Sequence, residues 1–164
     1  MIDQLPQRKY CFDTSAFING WRLHYKPQTF AALRDHIGTL MENRSVVVPE
    51  EVEKEIGAGT DDLVIWFKPH RKCVLPISED QLAIVSEIVN KYPLVSQYKK
   101  PKPYSADPFV VAVAKLEGRV VVTYEKENKS SQNPNIPDLC KEHRVECCDL
   151  ASFFEKEGIT FGIV

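Results

Sequence analysis

Short apolar runs, each too brief to span a core as a helix, recur along this chain between amphipathic stretches. Lys9-Tyr-Cys-Phe-Asp13, Ser45-Val-Val-Val48, Lys72-Cys-Val-Leu75 and Arg119-Val-Val-Val-Thr-Tyr124 are continuous rather than alternating, and Val145-Glu-Cys147 adds a fifth. A strand that is apolar on both faces must be covered on both faces, which is the condition of a parallel sheet between helical layers. The intervening segments read as helices. One starts near residue 15, and a longer one spans 28–42 with Phe30, Leu33, Ile37, Leu40 and Met41 on a single face. Pro49 is placed to open a helix that Gly57-Ala-Gly59 ends, and Thr60 to cap another reaching about 68. Ser78-Glu-Asp-Gln81 is a capping box before a face of Leu82, Ile84, Val85, Ile88 and Val89. Ala106–Gly118, Asp138–His143 and Asp149–Gly158 complete the set. The alternation implies an α/β fold in three layers, α/β/α, with a central parallel sheet of about five strands in a single domain, 1–164.

Composition excludes several classes of protein. A net charge of −2 gives no global field toward nucleic acid, so any such binding must use local patches. The start, Met1-Ile-Asp-Gln-Leu-Pro-Gln-Arg-Lys-Tyr10, lacks the apolar centre of a secretory signal, and no run is long enough to cross a bilayer. Five cysteines, an odd number with no CxxC pair, read as reduced thiols, and the expected compartment is the cytoplasm. The four histidines form no HxxxH pair, which argues against zinc. Neither a GxGxxG turn nor a P-loop is present, so no nucleotide cofactor is expected.

Sites in parallel α/β sheets form beyond the carboxyl ends of the strands. Four acids fall there or on the helices that follow. Asp13 closes the first run, where it serves equally as a site carboxylate or as the cap of the next helix. Glu55 competes with Glu50, Glu51 and Glu53, all of which suit the start of a helix. Asp107 precedes Pro108 as an N-cap before N1, at the mouth of Phe109-Val-Val-Ala-Val-Ala114, a helix apolar nearly all round; Ser105 is its candidate partner. Glu125 ends the most hydrophobic strand, with Glu127 as its rival. Carboxylates crowded together repel and call for a cation, and oxygen donors without Cys or His point to Mg²⁺ or Mn²⁺. The stretch Gln97–Ser105 reads as a linker, in which Lys99, Lys100 and Lys102 between Tyr98 and Tyr104 could follow a nucleic-acid backbone.

In order along the chain, Phe12-Asp-Thr-Ser15, Val52-Glu-Lys-Glu-Ile-Gly57, Ala106-Asp-Pro-Phe-Val-Val-Ala-Val-Ala114 and Val121-Val-Thr-Tyr-Glu125 resemble the PIN-domain family of small metal-dependent ribonucleases. The tail from Ile136-Pro-Asp-Leu-Cys140 to Val145-Glu-Cys-Cys-Asp-Leu150 is similar to a PIN subgroup of otherwise undefined function. The resemblance implies Asp13, Glu55 and Asp107 as core metal ligands, Glu125 as the fourth acid, and Thr14 or Ser15 with Thr123 as orienting groups. It implies Mg²⁺ or Mn²⁺ as cofactor and RNA as substrate. Many family members are toxins, so an antitoxin protein is an expected partner. The chain departs from the pattern in having the longer Glu125 where Asp is usual, with bulky Tyr124 before it.

The function expected from these residues is metal-dependent endoribonuclease activity, in the setting of a toxin–antitoxin pair. The alternative is a catalytically silent PIN-like scaffold that binds RNA or a protein. A receiver domain would need an acceptor Asp after Lys72-Cys-Val-Leu75, and a haloacid-dehalogenase-like phosphatase would need DxD where Asp13-Thr-Ser15 stands. The apolar end, Ile159–Val164, reads as an edge strand or as an interface, that of a homodimer included.

Overall fold

The computed structural model describes residues 8–93, 105–129 and 132–163. Five strands, β1 (Tyr10–Phe12), β2 (Val46–Pro49), β3 (Val74–Leu75), β4 (Val120–Val122) and β5 (Cys147–Cys148), form one sheet in the order β3-β2-β1-β4-β5. Every pairing is parallel. The strands are short because each only crosses the buried layer; Tyr10 to Phe12, Val46 to Val48, Val121 and Val122 are all at most 1% exposed. Pleating sends Tyr10 and Phe12 to one face, where both meet the Phe153 ring edge-on at 4.8 and 5.0 Å.

The helices are α1 (Thr14–Asn19), α2 (Ala31–Glu42), α3 (Glu50–Gly57), α4 (Asp62–Phe67), α5 (Glu79–Lys91), α6 (Asp107–Glu117), α7 (Ile136–His143) and α8 (Leu150–Glu157). α6 lies across β1, β2 and β4 and beside α5 and α7, which is why Pro108 through Ala114 are all buried. Gly118 ends it at φ 62°, a left-handed position that glycine takes without strain. From β1 the chain moves outward to β2 and β3, then returns through α6 to β4 on the other side of β1. The switch point therefore lies between β1 and β4, and a crevice opens beyond their carboxyl ends.

Several boundaries differ from the sequence reading. Pro49 is the last residue of β2, paired with Leu75 and extended at ψ 156°, so it caps α3 rather than opening it. Asp61, not Thr60, precedes α4. Leu82 faces solvent and Gln81 is buried in its place, its amide donating to the Pro76 carbonyl at 3.1 Å. α7 starts at Ile136, because Asn135 and Asp138 cap each other's backbone there. After α1 the chain widens into a π-helical turn, Gly20–His24, closed by Tyr25 N–H donating to the Gly20 carbonyl at 2.7 Å. Residues 159–163 form no strand; Phe161 instead packs on Tyr25, Phe30 and Phe154 while half exposed.

At the amino end of β4, Arg119 is 7% exposed. Its Nη1 donates to the Arg44 carbonyl at 3.0 Å and lies within reach of the Ser45 and Tyr10 carbonyls, while Nε pairs with Glu117. This one guanidinium fastens β4 to the entrances of β1 and β2. Arg119→Ala is expected to lower unfolding free energy by about 2–4 kcal/mol by stranding those acceptors; Arg119→Lys should recover only part of it, since it lacks the fork. Urea unfolding followed by circular dichroism measures both.

Candidate active site

β1 delivers Asp13 to the crevice. The residue is 3% exposed and does both things its position allowed: it caps α1 and sits at the strand end. Its Oδ2 accepts from Ser15 N–H at 3.3 Å, Ser15 Oγ at 2.6 Å and Thr123 Oγ1 at 3.0 Å. Ser15 Oγ also accepts from Tyr124 N–H at 2.9 Å, and Thr123 Oγ1 accepts from Glu125 N–H at 3.1 Å. Two hydroxyls thus lock the ends of β1 and β4 together around one carboxylate. Glu125 turns along the crevice, its Oε2 accepting from Ile136 N–H at 2.8 Å at the first turn of α7.

Glu55 comes from α3. Its Oε2 accepts from Thr14 Oγ1, next to Asp13, and its Oε1 from Ala106 N–H at 3.1 Å, next to Asp107. The rival glutamates point elsewhere. Glu51 pairs with Lys54 at 2.7 Å, Glu53 pairs with Arg71, and Glu50 accepts from Ile77 N–H at 3.3 Å. Glu127, the rival of Glu125, pairs with Lys141 at 3.5 Å and is mostly exposed. Asp107 is not the cap of α6 but its first residue, with Ala106 as the cap; Asp107 N–H donates to Ser105 Oγ at 3.2 Å. A carboxylate in that first turn meets the partial positive charge of the helix start.

Asp13, Glu55, Asp107 and Glu125 therefore share one electrostatic neighbourhood, with Thr14, Ser15, Thr123 and Ser105 as the hydroxyls between them. Burial drives the Asp107 carboxyl well above the usual range, and the charges of Asp13, Glu125 and Glu55 push it further; Ser105 opposes them. Burial also raises Asp13, against the hydrogen bonds from Ser15 and Thr123, and raises Glu125, against the Ile136 N–H. In donor chemistry this set suits a hard divalent cation: it is oxygen only, and its members destabilise one another's charge. In geometry it is not closed. Among the described residues no three His, Cys, Asp or Glu side chains converge tightly enough to hold a metal ion. The two glutamates reach for hydroxyl and backbone N–H donors instead of a common point.

A family model described as a domain of unknown function, DUF4411, matches residues 10–161. The chain belongs to the DUF4411 family. No curated protein sequence matches this DUF4411 chain. Its fold is a PIN-like α/β fold. VapBC2 from Rickettsia felis, bound to a DNA fragment from their promoter, superposes with a TM-score of 0.51 at 11% identity, covering 85% of this chain and 97% of that one. PAE2754 from Pyrobaculum aerophilum gives 0.51 at 15%, covering 93% and 98%. FitAB bound to an IR36 DNA fragment gives 0.50 at 15%, covering 85% and 94%.

Lys99, Lys100 and Lys102, with most of the linker, lie outside the described residues. Two features of the DUF4411 site had no sequence signal. Ile136 contributes only its backbone N–H, which carries no residue-type mark. The His24 ring stacks on Tyr124 at 5.3 Å and 6°, and this contact depends on the π-helical turn.

The raised Asp107 has a consequence for stability. The folded state holds that proton more tightly than the unfolded chain, so stability is greatest below the unfolded carboxylate range and is lost as pH rises from there to the folded value. In metal-free protein Asp107→Asn should raise the melting temperature at neutral pH, and the gain should vanish below about pH 4. Thermal unfolding of both proteins across pH checks the sign.

Proposed function

We propose that this protein is a metal-dependent endoribonuclease that hydrolyses RNA phosphodiester bonds in the crevice between β1 and β4. The observation that carries the reading is the mutual electrostatic coupling of Asp13, Glu55, Asp107 and Glu125 at a parallel-sheet switch point, where hydroxyls and backbone N–H groups hold the individual acids. Mg²⁺ or Mn²⁺ held by these four would activate a water for attack on phosphorus and neutralise charge on the leaving oxygen. The chain's own groups prepare the place. Ser15 and Thr123 hold the Asp13 carboxylate at the strand ends, Thr14 and the Ala106 N–H hold Glu55, and Asp107 gives up its retained proton when a cation arrives. Contact with the RNA backbone is assigned to Lys99, Lys100 and Lys102.

The fold shared with VapBC2 and FitAB, both of which are described bound to DNA fragments, supports a place as the toxin of a toxin–antitoxin pair. A second reading, a catalytically silent scaffold that binds RNA or a protein, draws support from the open arrangement of the carboxylates. Cleavage of single-stranded and structured RNA with Mg²⁺ or Mn²⁺ separates the two. Asp13→Asn and Asp107→Asn should each reduce cleavage by about 10²-fold or more, while Asp80→Asn on the exposed face of α5 should leave it unchanged. Equal rates in wild type and the two site variants would favour the scaffold.

A further inference from the structure

A cavity of about 450 Å³ beside Glu125 has a wall that phosphodiester chemistry does not use. Cys140, Cys147 and Cys148 all line it. Cys140 is buried on α7, whereas Cys147 and Cys148 on β5 are partly exposed. Val145 N–H donates to the Cys140 carbonyl at 2.8 Å, and this tight return of the chain sets β5 against α7. The two thiols interact across this junction, which lowers the partly exposed Cys147 thiol and raises that of buried Cys140. Burial and the carboxylates of Asp13, Glu125 and Asp149 work against a Cys147 thiolate but do not outweigh that interaction. The remaining thiols are poorer nucleophiles. Burial pushes Cys148 and Cys73 up to about 12 and raises Cys11 as well.

We propose that Cys147 and Cys140 form a peroxide-reactive thiol pair, in which Cys147 attacks from the cavity wall and buried Cys140 closes a disulfide behind it. The oxidant is a hydroperoxide. The Cys147 thiolate forms an S–O bond as the O–O bond breaks, leaving a sulfenic acid; the departing hydroxide or alkoxide takes up the proton that the Cys147 thiol had released and leaves as water or an alcohol. Cys140 sulfur then bonds to Cys147 sulfur, and the S–O bond breaks. The Cys140 proton leaves with the hydroxide as a second water. The bridge ties α7 to β5, and α7 begins at the Ile136 N–H that holds Glu125. The pair stands independently of the nuclease reading, because it is read out on the thiols themselves.

The test treats the folded, full-length protein with hydrogen peroxide, alkylates remaining thiols after denaturation, and maps the peptides by mass spectrometry. The expected product is an intramolecular Cys140–Cys147 disulfide, with Cys11, Cys73 and Cys148 alkylated. Cys140→Ser should accumulate a dimedone-reactive sulfenic acid at Cys147, labelled roughly tenfold faster than Cys148. Cys147→Ala, which removes a partly exposed sulfur, should keep the far-ultraviolet circular dichroism spectrum and lose the disulfide. Cys148→Ser should leave the disulfide yield unchanged. A Cys147–Cys148 link, a disulfide between molecules, equal labelling of all cysteines, or no oxidation of Cys147 would overturn the proposal.

Discussion

Mutual repulsion among carboxylates at the ends of β1 and β4 is the interaction around which this molecule is arranged. Asp13 is nearly withdrawn from water and Asp107 partly so, and Asp107 bears the field of Asp13, Glu125 and Glu55. Hydroxyls of Thr14, Ser15, Ser105 and Thr123, the backbone N–H groups of Ser15, Ala106 and Ile136, and the start of α6 offset that cost in part. Raised proton affinities show that the compensation is incomplete.

The sheet makes the crowding unavoidable. Because β1 is central and its neighbours lead away in opposite directions, the residues after Phe12 and Val122 end up facing the same gap. β4 carries a polarity along its length, with buried Arg119 before it and Thr123 and Glu125 after it. The Arg119 guanidinium draws the amino ends of the strands together, and the carboxylates stay at the far end. Helix α6 joins the two halves, since it covers three strands with an all-apolar surface and presents Asp107 at its tip.

Much of this could be read from the residues. Continuous valine runs marked the parallel sheet, and the apolar helix after Asp107 marked its buried layer. Asp13 was legible because a strand end fixes where a side chain goes. Glu55 was not separable from Glu50, Glu51 and Glu53, because a helix offers every acid in its first turns a plausible place. Only the tertiary partners Lys54, Arg71 and the Ile77 N–H remove the other three. The Asp107 cap was misplaced by one residue, since Ser105 Oγ takes the first free N–H. The hold of Ile136 on Glu125 and the His24–Tyr124 stack depend on backbone groups and a π-helical turn, neither of which has a residue pattern.

The central claim, that these carboxylates form one cation-demanding unit, is tested most directly by calorimetric titration with Mn²⁺ at neutral pH in two buffers of different ionisation enthalpy. The expected result is binding that releases protons, seen as a heat that differs between the buffers. Both the binding and the proton release should be lost in an Asp13→Asn/Asp107→Asn double variant that remains folded. Binding without proton release, or binding unchanged in the double variant, would contradict the account.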